Sequence, residues 1–114
     1  MKPFVDYHTS FDLLDIRVGT IVKAEPFPRA KKPSYRLEID FGPELGIRRS
    51  SAQITAHYAI EDLKGRQIIA VVNFPSRNIA GFLSEVLVLG VYDTDQNVVL
   101  LTPDKPLPDG SVIG

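Results

Sequence analysis

The chain contains no cysteine and only two histidines in 114 residues. Without cysteine there is no disulfide, no thiol nucleophile and no thiolate-held metal, a composition compatible with a reducing compartment. His8 and His57 lie far apart in sequence, and His57 beside Tyr58 reads as a surface or packing residue. Ser50 and Ser51 sit in no G-x-S-x-G pattern, and no glycine-rich phosphate loop occurs. The expectation is a non-enzyme with no catalytic residue, no metal and no cofactor. Long apolar runs are missing too: none approaches the ~20 residues of a membrane span. The N-terminus MKPFVDYHTS has Asp6 and His8 where a signal peptide would have its apolar core. A soluble, cytoplasmic protein without membrane insertion is expected. Finally, an excess of basic charge is lacking, since the formal net charge is −1; a nucleic-acid-binding domain is usually clearly basic.

What is present is enough for one domain, able to bury roughly two-thirds of the surface its unfolded chain exposes. The charges are unevenly distributed. Between Glu25 and Glu38 stand Arg29, Lys31, Lys32 and Arg36 with no acid among them, whereas Asp93, Asp95, Asp104 and Asp109 face only Lys105 in the tail. These are either distinct surfaces or ordinary solvated loops.

The hydrophobic pattern is that of strands. Residues 16–25 alternate, with Gly19 suggesting a bulge or bend. Tyr35, Leu37, Ile39 and Phe41 alternate strictly with Arg36, Glu38 and Asp40, the mark of a half-buried antiparallel strand. Residues 47–52 form a third strand, with Arg48 and Arg49 on opposite faces. Residues 55–63 read as a short helix ending near Gly65. Residues 68–72 and 82–91 are a fourth and a fifth strand, joined by a loop, 73–81, too irregular for a simple turn. A sixth strand over 98–102 leads into a proline-rich tail. Before all of these, Thr9 as N-cap with Asp12 three residues on suits a short helix, within an arm whose Phe4, Val5, Tyr7 and Phe11 must be buried somewhere.

Five strands with a short helix between the third and fourth is the order of an OB-fold barrel. The expected architecture is all-β with short helices: a single domain, 1–114, comprising an N-terminal arm and short helix (1–14), a five-stranded OB-fold barrel (15–92) and a C-terminal extension (93–114). In such a barrel the loop between strands one and two and the loop between strands four and five flank the ligand face. Here those are the basic loop 26–34 and the mixed loop 73–81.

The stretches DIRVGTIV (Asp15 to Val22), SSAQIT (Ser50 to Thr55), VVNFP (Val71 to Pro75) and SEVLVLG (Ser84 to Gly90) resemble the tRNA-binding-domain family of OB-folds, which includes a C-terminal domain of many methionyl-tRNA synthetases. Within it they resemble the CsaA proteins, export-related chaperones. The resemblance runs nearly end to end. It implies a homodimer, with both extensions at its interface, that binds unfolded precursor proteins and works with the export machinery. In tRNA-binding relatives the fifth strand is entered through a serine-rich segment ending in Gly-Met; this chain keeps Ser84 and Glu85 but has Val86 and Leu87.

Two binding modes follow. In the first, an apolar groove takes extended polypeptide: Phe74, Ile79, Phe82 and Leu83 make the contacts, and Asn73 and Arg77 orient the chain. Phe74 and Phe82 could instead cap the barrel end. In the second, a tRNA or other RNA lies on the same face: Arg29, Lys31, Lys32, Arg36, Arg49 and Arg77 neutralise phosphates, Ser84 assists, and Tyr35 or Phe74 stacks on unpaired bases.

Overall fold

The computed structural model describes residues 1–114. Nine strands follow in chain order: β1 (Ile16–Pro26), β2 (Tyr35–Asp40), β3 (Ile47–Ala52), β4 (Gln67–Val71), β5 (Arg77–Ile79), β6 (Phe82–Ser84), β7 (Leu87–Val88), β8 (Gly90–Tyr92) and β9 (Val98–Leu100). The main sheet runs β3-β2-β1-β4-β7, antiparallel throughout, and curls into the expected OB-type barrel. The alternation of β2 explains its place: Leu37 and Ile39, and Phe41 just beyond the strand end, point inward and are essentially without solvent exposure. With Ile21, Ile54, Leu63, Ile68 and Val86 they form the heart of the core.

Closure of the barrel combines a backbone bond with bonds from polar side chains. Between β3 and the β6–β7 segment, the Glu85 N–H donates to Arg49 O at 2.7 Å, and the Ser50 hydroxyl donates to Val86 O at 3.0 Å. The Arg49 N–H donates to Glu85 Oε1 and the Ser51 N–H to the Ser84 hydroxyl, each at 3.0 Å.

Several local expectations are corrected. The bend of β1 falls at Val22, where the register against β2 slips between Ile21 and Lys23. Gly19 has another reason to be glycine: a Cβ there would lie 2.7 Å from Ile39 Cγ2 and from two ring carbons of Phe41. No helix spans 55–63; there is a turn and then a single 3-10 turn, Ile60–Asp62, preceded by an extended Ala59. The cause is the clamping of Tyr58, whose carbonyl accepts from the Tyr35 hydroxyl at 2.7 Å and whose own hydroxyl accepts from the Leu100 N–H at 2.9 Å. At the N-terminus, Asp6 Oδ2 accepts from the Thr9 N–H at 2.9 Å, so Asp6, and not Thr9 with Asp12, caps the turn before the 3-10 helix Phe11–Leu13.

The second half of the loop 73–81 is β5 and the turn of a β-hairpin completed by β6, turning through Ala80 (φ 50°) and Gly81 (φ 86°). Two successive positive φ values suit a two-residue turn between twisted strands. The single fifth strand expected over 82–91 is divided into β6, β7 and β8, because three separate partners, β5, β4 and β9, each take a part of it.

The C-terminal extension adds to β1 where β2 no longer reaches. The Gly110 N–H donates to Val18 O, the Val18 N–H to Ser111 O and the Ile113 N–H to Ile16 O, at 2.8–2.9 Å. Gln67 holds the approach with both ends of its amide, donating to Leu107 O at 2.7 Å and accepting from the Leu107 N–H at 3.1 Å. Gly110 adopts φ 91° with the Phe41 carbonyl packed where a Cβ would stand. Gly110→Ala is therefore expected to loosen the tail by more than ~1 kcal/mol, seen as faster amide exchange at Val18 and Ile113 while the Leu37 and Ile39 amides stay protected.

Candidate ligand-binding cleft

The outer face of β1–β3 carries charge of both signs in register. Lys23 lies 3.9 Å from Glu25 and 3.8 Å from Glu38, Arg36 lies 3.8 Å from Glu25, and Arg49 lies 3.9 Å from Glu85. Such exposed pairs contribute little stability, but they leave this face electrically balanced. Arg36 and Arg49 are occupied further: Arg36 lies over the Phe27 ring at 5.6 Å and Arg49 over the Phe82 ring at 4.9 Å, and the two rings meet edge to face at 5.5 Å.

Beside this balanced face a cleft of about 940 Å³ opens between the loop 29–34, the end of β3 with residues 53–56, the β5–β6 hairpin and the β7–β9 region. Arg29, Lys31, Lys32 and Arg77 line it, none of them in an ion pair, and no acid does. The potential inside is positive although the chain as a whole is near neutral, and the low-dielectric walls concentrate it. The apolar part of the lining comes from Ile54, Ile79, Leu87, Val88 and Val98, with Tyr92, 68% exposed, at the rim. No group of three or more His, Asp or Glu side chains is arranged to hold a metal ion.

The two loops singled out by their content thus meet, as the strand order requires, but the residues proposed from them separate. Arg29, Lys31, Lys32, Arg77 and Ile79 line the cleft. Arg36 and Arg49 belong to the balanced face. Ser84 closes the barrel through Ser51. Asn73 ties down the arm before β1, accepting from the Asp15 N–H and donating to Leu13 O, both at 2.9 Å. Phe82 packs on Phe27; Phe74 and Leu83 are 46% and 45% exposed and lie outside the cleft lining. Tyr35 spends its hydroxyl on Tyr58 and packs against the core. Sequence reasoning missed Gln53, Ile54, Leu87, Val88 and Tyr92. The one signal for them was the end of a strand with no turn residue to follow: AQIT continues β3 beyond the reach of β2.

One side-chain hydrogen bond ties the turn 55–57 to the turn after β8. His57 Nε2 and Asp93 Oδ2 are 2.6 Å apart, and Asp93 Oδ1 accepts the N–H groups of Asp95 and Asn97, each at 2.9 Å. The bond to Asn97, then His57, holds the Asp93 carboxyl below its ordinary value near 3.8. A depressed carboxyl contributes stability that is complete above the unfolded pKa and is lost as pH falls through the folded one. Asp93→Asn is accordingly expected to cost stability at neutral pH, with the difference from the parent shrinking progressively as pH falls from about 5 into the acid range; urea midpoints of both proteins across that range check this.

The comparisons agree with this geometry. Residues 16–112 match the family described as "Putative tRNA binding domain". The chain is similar to the chaperone CsaA from Bacillus anthracis, with 53% identity and a TM-score of 0.92 over 98% of this chain and 100% of that one. It is similar to the CsaA chaperone protein from Picrophilus torridus, with 49% identity and a TM-score of 0.90 over 97% and 100%. It also matches methionine–tRNA ligase of Methanocaldococcus jannaschii, 38% identical over 88% of this chain but only 15% of the ligase. The chain thus spans about one-seventh of the curated ligases it matches, and the likeness is to one domain of them.

Proposed function

Because this chain belongs to the tRNA-binding-domain family, and within it to the CsaA group, we propose that it is a non-enzymatic chaperone that holds extended segments of unfolded precursor proteins in the cleft. The observation that carries this is the lining itself: Ile54, Ile79, Leu87 and Val88 offer apolar contact beside a strand end, Gln53, whose backbone N–H has no partner in the chain. Arg77 orients the segment at the rim. Leu83, opposite Asn78 in the hairpin, and the exposed Phe74 extend the apolar surface for longer clients. The chaperone acts in the cytoplasm, before the client meets the export machinery.

It acts as a homodimer. Phe4 and Val5 are 92% and 76% exposed, and Tyr7, Leu13 and Val112 are also open to solvent; a second copy covers what one copy cannot. Sedimentation equilibrium at micromolar concentration is expected to give twice the chain mass, and a monomer there would count against this part.

RNA is the second reading, favoured by one observation: the four unpaired cations of the cleft with no acid among them. Titration of the protein with a labelled unfolded precursor peptide and with labelled tRNA, at 50 and at 200 mM salt, separates the two. Apolar peptide binding is expected to survive the salt. Tight tRNA binding that collapses with salt, with no peptide binding, would replace the chaperone reading with the RNA one.

A further inference from the structure

Along a β-strand alternate residues turn their backbone N–H and C=O to the same edge. For β3 and its continuation, the edge away from β2 belongs to Arg49, Ser51 and Gln53. Arg49 is held at both groups by Glu85: the backbone N–H of Glu85 donates to its carbonyl at 2.7 Å, while its own N–H donates to the Glu85 carboxylate at 3.0 Å. The Ser51 N–H donates to the Ser84 hydroxyl at 3.0 Å. The Gln53 N–H donates to nothing in the chain, and Gln53 opens on the cleft. Moving along this edge, a backbone partner gives way to a carboxylate, then to a hydroxyl, then to none.

We propose that residues 51–53 are the seat of the client, which is held as an added β-strand, and that the Ser84 hydroxyl is a placeholder displaced by a backbone carbonyl of the client. The inference rests on the chaperone reading and names its mode of recognition. Main-chain hydrogen bonds supply the affinity, so many sequences are accepted, and every second side chain turns to the apolar lining. The ligand class is therefore extended polypeptide with free amides on one edge and no proline there, since proline has no N–H to give.

The test uses the full chain and an octapeptide alternating valine with serine or glutamate, blocked at both ends and fluorescently labelled. Two further versions carry N-methyl groups, one on every valine amide and the other on every intervening amide. All valines share one edge of the extended peptide, so one methylated version is expected to lose at least tenfold in affinity, about the worth of one or two net hydrogen bonds, and the other to stay within about twofold. Equal retention by both, or equal loss from both, overturns the single-edge pairing while leaving the chaperone reading intact. Failure of the unmethylated peptide to bind overturns both. Ser84→Ala frees the Ser51 N–H and is expected to tighten the unmethylated peptide two- to fivefold; weaker binding at unchanged thermal stability would contradict the placeholder role.

Discussion

Replacing Gly19 by valine is expected to lower stability by about 3 kcal/mol, at the upper end of what overpacking a native core costs. The Cβ alone would stand 2.7 Å from Ile39 and Phe41, both essentially without solvent exposure, Ile39 within β2 and Phe41 directly after it. Neither can retreat easily, because Ile39 and Phe41 are themselves packed among Ile21, Leu37 and Ile68. At roughly 4 °C or more per kcal/mol for a domain of this size, the melting midpoint should fall by more than about 10 °C. Calorimetry measures it directly. A midpoint within two degrees of the parent would mean that the ring of Phe41 finds a second rotamer, and that the tight contact is not what keeps this position glycine.

Inverting Lys31 and Lys32 together to glutamate should have the largest effect on any polyanion bound in the cleft. With four phosphate contacts to single-stranded RNA, raising salt from 50 to 200 mM lowers affinity about fiftyfold. Losing two contacts reduces the log–log salt slope by about 1.4, and two carboxylates facing Arg29 and Arg77 remove more of the attraction. Little tRNA affinity should be left even at 50 mM. Both lysines are exposed and unpaired, so the thermal midpoint should hardly move. Peptide affinity should change by less than about threefold, because the edge at Ser51 and Gln53 and the apolar lining are untouched. Unaltered tRNA binding by the double variant would place RNA elsewhere on the barrel.

The barrel was legible in the sequence because its signals are local. Tyr35 to Phe41 alternate without exception, and the matching edges of β1 and β3 follow within a few residues. The basic loop and the hairpin could be expected to meet once the strand order was known. What could not be read was which cations were already spent. Arg36 and Arg49 look like Lys31 and Lys32 in a composition window; only the cross-strand register, which sets Arg36 opposite Glu25 and Glu38 opposite Arg49, shows that they are compensated. Asn73 and Ser84 were similarly ambiguous, since a short polar side chain in a loop serves a ligand or its own backbone equally well. The helix expected over 55–63 failed for a related reason: local propensity allowed it, but the hydroxyl of Tyr35 and the N–H of Leu100, both remote in sequence, hold Tyr58 where a continuous helix could not leave it.

The pairing of residues 110–113 with the start of β1 also sets an order of events in folding. Within this barrel β1 is made before the other strands, yet part of its edge waits for partners synthesised about ninety residues later, as the Gly110–Val18 and Ile113–Ile16 bonds require. Contacts of such long sequence separation slow folding into the millisecond-to-second range. On a translating ribosome, β1 to β4 can assemble early, but Ile16 and Val18 stay uncovered until residues 110–113 have emerged. A nascent chain of this protein therefore passes through a stage in which it displays an open strand edge of its own.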